Sequence, residues 1–300
     1  METIYSIIIP SKNTPALLER CVLSIPERED TEIIVIDDNS GYTVEIEKSE
    51  FISRKNLHFI KLQESKGAGY ARNIGIEKAK GKWLLFADAD DFYTRNLNAL
   101  LDKYREDEKT DIVYLNAQSI DDNGTTYALP IGRYIKNFRD KRVYSEKVLR
   151  FENWVPWTRM VKREMVLKYN IKYEEIQVGN DVMFCLTCSK YAKSIDAEIA
   201  IIYNYYKPTS GSCTFQNYNI KSFASRLSSS FKVNKIYKET GYIFKRGILK
   251  FLHHNKFIKK GNETEYNRIV NTILKENNYK TLPDIIHTIC YYVGKITGII

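Results

Sequence analysis

The feature that most constrains this 300-residue chain is a pair of short apolar runs that each end on acids. Glu32–Ile36 runs into Asp37-Asp38-Asn39-Ser40-Gly41, and Lys82–Ala87 runs into Asp88-Ala89-Asp90-Asp91. A short continuous apolar run closed by turn formers reads as a strand buried on both faces. Tyr5–Pro10, Leu57–Leu62 and Asp111–Asn116 read as strands too. Between them, Pro15–Ile25, Gly69–Lys80 and Asn96–Arg105 have helical character; Leu17, Leu18, Cys21, Val22 and Ile25 of the first recur at helical spacing. This alternation predicts an α/β fold, a doubly wound and mostly parallel sheet flanked by helices. Ligands of such sheets sit outside the carboxyl ends of the strands. Both acid clusters are therefore expected to face one crevice.

The rest of the chain is less regular. Residues 120–160 show no clear periodicity. Arg163–Tyr169 and Asp181–Tyr191 read as helices and Ile195–Tyr206 as a long strand. Beyond Lys207-Pro208-Thr209-Ser210-Gly211 the pattern becomes helical, over Asn219–Glu239, Ile243–Phe257 and Glu263–Glu276. We divide the chain there, into an α/β domain over 1–214 and a helical region over 215–300. Charge follows the division: residues 1–200 hold 30 Lys/Arg against 32 Asp/Glu, and residues 201–300 hold 16 against 5. The basic excess suits either an anionic membrane face or a plain solvated surface. No nucleic-acid motif accompanies it, so nucleic acid is not an expected partner.

The five cysteines form no paired framework. Cys185 and Cys188 make a lone CxxC inside a helical run, which argues against zinc and for buried thiols in a reducing compartment. Met1-Glu2-Thr3 is acidic and Ile4–Pro10 is too short for a signal peptide. No run reaches the ~18 apolar residues of a spanning helix. Ile285–Ile300 comes nearest, but His287 and Lys295 interrupt it, which suits an interfacial or core helix. The expected location is cytoplasmic, with peripheral contact at the inner membrane face through 215–300.

Asp88, Asp90 and Asp91 crowd three carboxylates at a strand end, where a hard divalent ion would relieve their repulsion. Capping of the following helix is the alternative. Asp37 and Asp38 can accept hydrogen bonds from a base or ribose, or can simply form a turn. Lys66-Gly67-Ala68-Gly69-Tyr70-Ala71-Arg72-Asn73 enters a helix through glycines. Its backbone N–H groups, with Lys66 and Arg72, suit a phosphate. It is neither a dinucleotide fingerprint nor a P-loop.

Ile7-Ile8-Ile9-Pro10, Val35–Ser40, Gly69–Gly75 and Ala87–Asp91 occur in the order and spacing of the family 2 glycosyltransferases, and the chain resembles that family strongly over residues 4–95 and more weakly to about 213. It is similar to the bacterial branch that builds capsule, O-antigen and other surface polysaccharides. The resemblance implies a GT-A fold, an inverting transfer from a nucleotide-sugar donor, and Mn²⁺ or Mg²⁺ as cofactor. It implies that Pro10, Ser11 and Asn13 meet the nucleotide, that Asp38 beside Asp37 meets the uracil, and that Arg72 contacts the donor. Asp88 and Asp90 match the metal-associated acid pair, with Asp91 a further candidate. Asp181 matches the carboxylate that takes the acceptor proton; a helix N-cap is its other reading. The family's preceding Glu is Asn180 here. Trp154 and Trp157 are candidates for stacking on an acceptor sugar, or for the core. Lys207 and Ser212 match a loop over the donor diphosphate, or a plain turn. The acceptor would be a saccharide or a lipid-linked saccharide.

Two rivals remain. A sugar nucleotidyltransferase would carry a Gly-rich basic loop after its first strand, where this chain has Pro10-Ser11-Lys12-Asn13-Thr14. A non-catalytic nucleotide-sugar-binding protein is favoured only by Asn180.

Overall fold

The computed structural model describes residues 2–41, 50–176, 178–208, 219–242 and 247–280. Four strands, β1 (Tyr5–Ser11), β2 (Thr31–Asp37), β3 (Leu57–Lys61) and β4 (Trp83–Phe86), pair in parallel in the order β3-β2-β1-β4. β1, β2 and β4 are buried along their whole length, as their unbroken apolar runs predict. The register sets Ser11 beside Asp37 and Asp37 beside Lys61, so these strands end at one level.

The sheet changes character beyond β4. With β5 (Phe92–Tyr93), β6 (Ile112–Ile120), β7 (Thr126–Ala128), β8 (Arg159–Lys162) and β9 (Ile195–Tyr206), the order continues β4-β8-β6-β9-β5. β8 runs antiparallel to both β4 and β6, while β6 and β9 are parallel. The reversal at β8 brings residues 153–158 and the end of β9 toward the acid-bearing ends.

Helices α1 (Pro15–Leu23), α2 (Ala68–Lys78) and α3 (Asn96–Tyr104) lie where the periodicity expects them. α2 lies against β1 and β2, and a Cβ on Gly75 would collide with Ile8 of β1. Residues 120–160 are not irregular. They contain β7, α4 (Pro130–Arg139), α5 (Ser145–Phe151) and β8. α6 (Arg163–Lys168) and α7 (Val182–Tyr191) follow.

α8 (Ile220–Thr240) starts on an Asn219–Ser222 capping box and stops at Gly241, which is left-handed at φ 66°. Its Val233, Ile236 and Tyr237 pack with Val148, Phe151 and Leu186 of the α/β part. Its first half forms a second cluster, Phe223 and Leu227, with Ile248 of α9 (Ile248–His254) and Val270 and Ile273 of α10 (Glu263–Glu276). Among the described residues no helix is long and apolar enough to cross a membrane. The boundary near 214, Ser212, Cys213 and Ile285–Ile300 lie outside the described residues.

Candidate active site

The carboxyl ends of β1 and β2 open onto a cavity of about 490 Å³. Pro10, Ser11, Asp38, Lys66, Glu175 and Asn180 are among its lining residues. Asn13 is exposed just outside. Its N–H donates to Ser40 Oγ at 2.9 Å, and its Oδ1 accepts from Gly41 N–H at 3.3 Å.

The first acid pair is consumed by the protein itself. Asp37, 1% exposed, accepts hydrogen bonds from the Ser40 hydroxyl and, at 3.1 Å, the Ser40 N–H. Asp38, 4% exposed, accepts from Lys66 N–H at 2.7 Å, from Gly67 N–H at 3.1 Å and from Ser65 Oγ at 2.7 Å. Lys12 Nζ lies 3.6 Å away. The backbone donors expected to cradle a phosphate at the start of α2 therefore already hold an anion, the Asp38 carboxylate. The Lys66 side chain pairs with Glu64 at 2.8 Å.

Arg72 joins the two halves of the site. It is 6% exposed and donates to Asp88 Oδ1 at 2.5 Å and to Asn180 Oδ1 at 3.0 Å. Burial works against its charge, but Asp88, Tyr173 and Asp181 outweigh burial and keep the guanidinium protonated. The local backbone explains how this contact forms. A Cβ on Gly69 would collide with the Glu174 carbonyl, so only glycine lets α2 approach the 174–180 segment this closely. Asn73 fixes the same segment, accepting from Tyr173 N–H at 2.8 Å and donating to Tyr173 O at 3.1 Å.

The second acid cluster divides into different roles. Asp88 is partly exposed, with its side chain at 33%, and Asp90 is exposed. Although Asp90 reaches solvent, desolvation by the protein packed around its base, then the neighbouring Asp88 charge, push its carboxyl above the usual range. Asp91 is fully buried; Tyr203 OH donates to it at 2.9 Å and Tyr206 N–H at 2.7 Å. Burial, then Asp88 and Asp90, raise its carboxyl well above normal. Asp91 thus anchors β9 and does not fit a ligand open to the crevice. Tyr203 OH also accepts the Asp88 N–H at 2.9 Å, and Arg20 donates to Asp90 O at 2.6 Å.

Among the described residues no three His, Cys, Asp or Glu side chains converge on a metal position. Asp88 and Asp90 fit an ion that draws its remaining oxygens from phosphates and water, the usual habit of Mg²⁺. Asp181 stands at the N-cap of α7 but makes no capping hydrogen bond through its side chain. Burial raises its carboxyl, Arg72 opposes this, and Asp88 adds to it. A half-buried carboxylate whose proton affinity is raised is suited to accepting a proton.

The two tryptophan candidates pack against neighbouring rings and helices. Trp157 is 7% exposed and stacks on Tyr203 at 5.0 Å and on Tyr205 at 5.7 Å, so it presents no open face to a sugar. Trp154 Nε1 donates to Phe151 O at 2.6 Å and its ring packs beside the α8 cluster. Lys207 is exposed and its N–H donates to Ile120 O at 2.9 Å. The sequence reading passed over Arg20, Ser65, Asn73 and Tyr203. Asn73 lay inside a quoted motif; the others had no local signal, because their partners are 27 to 115 residues away.

The glycosyl transferase family 2 model matches residues 6–169. EpsH of Bacillus subtilis is 26% identical over 233 residues, covering 74% of this chain and 66% of EpsH. The first curated relatives are matched over only 42% to 66% of their own lengths. In structure, Staphylococcus aureus TarS 1–349, solved in complex with UDP-GlcNAc, superposes with a TM-score of 0.67 at 17% identity, covering 91% of this chain and 81% of that one. The mannosyltransferase PcManGT of Pyrobaculum calidifontis, solved with GDP-Man and Mn²⁺, gives 0.52 at 14% identity, covering 100% and 81%. The fold is the GT-A-like one of these structures. With more than half of its length matched by the family model, the chain belongs to glycosyl transferase family 2.

Proposed function

We propose that this protein transfers a hexosyl or hexosaminyl unit from a nucleotide-diphosphate sugar, a UDP-sugar in the first instance, to a saccharide or lipid-linked saccharide acceptor, with inversion. The observation that carries the reading is Arg72, whose one guanidinium joins Asp88 at the end of β4 to Asn180, beside Asp181 at the start of α7. Donor diphosphate and acceptor hydroxyl would meet across that bridge. Asp181 accepts the hydroxyl proton, the freed oxygen bonds to the anomeric carbon, and the anomeric C–O bond breaks to release the nucleoside diphosphate. Asp88 and Asp90 would hold Mn²⁺ or Mg²⁺, which supplies charge neutralisation to the diphosphate. Pro10, Ser11, Asn13 and the Asp38 loop would line the nucleotide. Asn180 keeps the hydrogen bond to Arg72 without bringing a second carboxylate to Asp181.

The same reading assigns residues 1–214 to catalysis and 215–300 to acceptor or membrane contact, at the cytoplasmic face of the membrane, in bacterial surface-polysaccharide synthesis. Buried free thiols at Cys21, Cys185 and Cys188 agree with a reducing compartment. Thermal-shift titration with UDP-, GDP- and dTDP-sugars in Mn²⁺ tests it. A bound donor raises the melting temperature with concentration; a flat response to every donor overturns the reading.

A further inference from the structure

The turn between α4 and α5 presents an apolar side chain outward. Val143 is 86% exposed and Tyr144 beside it is 37% exposed. The turn is held firmly in this shape. Lys141 and Tyr144 adopt left-handed backbone at φ 52° and 65°, a conformation that disfavours side-chain-bearing residues. Arg142 N–H donates to Asn137 O at 3.1 Å, and Ser145 donates to Arg142 O through both N–H, at 3.1 Å, and hydroxyl, at 2.5 Å.

Basic residues flank this tip on both sides in the chain, a cationic collar in the sequence. Between residues 133 and 147 stand Arg133, Lys136, Arg139, Lys141, Arg142 and Lys147, against Asp140 and Glu146. Arg139 faces Asp196 at 3.2 Å and Glu146 faces Arg150 at 2.8 Å, which leaves the net charge of the tip positive. Arg133, Lys136, Lys141 and Arg142 are exposed. The patch extends to α8, because Lys147 Nζ donates to Gly241 O at 3.1 Å, next to the exposed Lys238.

We infer that this turn is a docking wedge for an anionic lipid surface, Val143 and Tyr144 entering the headgroup layer while the collar meets lipid phosphates. A protruding apolar tip flanked by cations matches the bilayer interface, where apolar insertion and attraction to anionic lipid act together. A protein partner would instead need a broad buried patch centred on anchors seated in pockets. The wedge places membrane contact in the α/β part, on residues outside 215–300. It is independent of the catalytic reading, since it is measured without donor or acceptor.

The full chain is floated with vesicles of neutral phosphatidylcholine and with vesicles carrying ~30 mol% phosphatidylglycerol, a composition that gives the surface a negative potential. The wild type is expected to float with the anionic vesicles and not with the neutral ones. Val143→Asp and Arg142→Glu should each lower binding by roughly an order of magnitude, and raised salt should weaken it further. Leu167→Asp, at an apolar residue 48% exposed on α6, should leave binding intact. Unchanged melting temperatures establish that the variants fold. Wild-type binding to dextran sulfate without vesicle binding overturns the proposal in favour of a soluble polyanion. Retained vesicle binding by both tip variants overturns it as well, as does a Val143→Asp change confined to oligomeric state.

Discussion

The two acid clusters look alike in sequence, each a run of carboxylates closing a buried parallel strand, yet they differ in what the protein gives them to bind. At the end of β2, Asp37 and Asp38 are 1% and 4% exposed, and their oxygens take donors from Ser40, Ser65, Lys66 and Gly67. At the end of β4, Asp91 is consumed in the same way by Tyr203 and Tyr206, while Asp88 stays partly open and Asp90 exposed. Local donors therefore decide whether an acid shapes a loop or stays open to solvent. Asp38 shows both: it holds the entry of α2 and still lines the cavity.

Substitutions on the two sides should separate activity from stability. Between the two clusters, the larger loss of activity is expected from Asp90→Asn. Loss of an exposed acid at the diphosphate end should slow transfer ~100- to 1,000-fold, while urea-unfolding stability stays within ~0.5 kcal/mol of wild type. Asp37→Ala should do the reverse, leaving the buried Ser40 donors unpaired and costing about 1–3 kcal/mol in urea unfolding. A stability loss at Asp90, or none at Asp37, would erase the distinction.

A smaller effect should appear in the pH profile of Asn180→Asp. The new carboxylate would draw Arg72 away from Asp88 and weaken its pull on Asp181. Asp181 must be ionised to accept a proton, and burial already raises its carboxyl. Activity is therefore lost as pH falls through that raised value. In Asn180→Asp the acidic limb of kcat/KM should move to higher pH; a limb that stays in place removes Asn180 from the bridge.

The sequence carried more of the sheet than of the site. Strands β1, β2 and β4 were legible because burial on both faces demands unbroken apolar runs. α4 and α5 were not. α4 buries only Ile131 and Ile135, and its Gly132 and Asn137 are poor helix formers, so tertiary packing rather than local preference forms it. The acids themselves were legible, but their division into buried anchors and open groups was not. It depends on Tyr203 and Tyr206, more than a hundred residues away in the chain from Asp91. Trp157 stayed open between core and sugar stacking for the same reason: its stacking partners, Tyr203 and Tyr205, arrive on that same distant strand.

Transfer is expected to depend most on Asp181, the carboxylate beside the Arg72 bridge whose side chain makes no capping hydrogen bond. Its direct test is single-turnover transfer by wild type and Asp181→Asn, with the donor and metal that give the largest thermal shift. Equal donor-induced shifts are expected for the two proteins, with transfer slowed ~100- to 10,000-fold in the variant. Transfer by Asp181→Asn at the wild-type rate would contradict this role for Asp181.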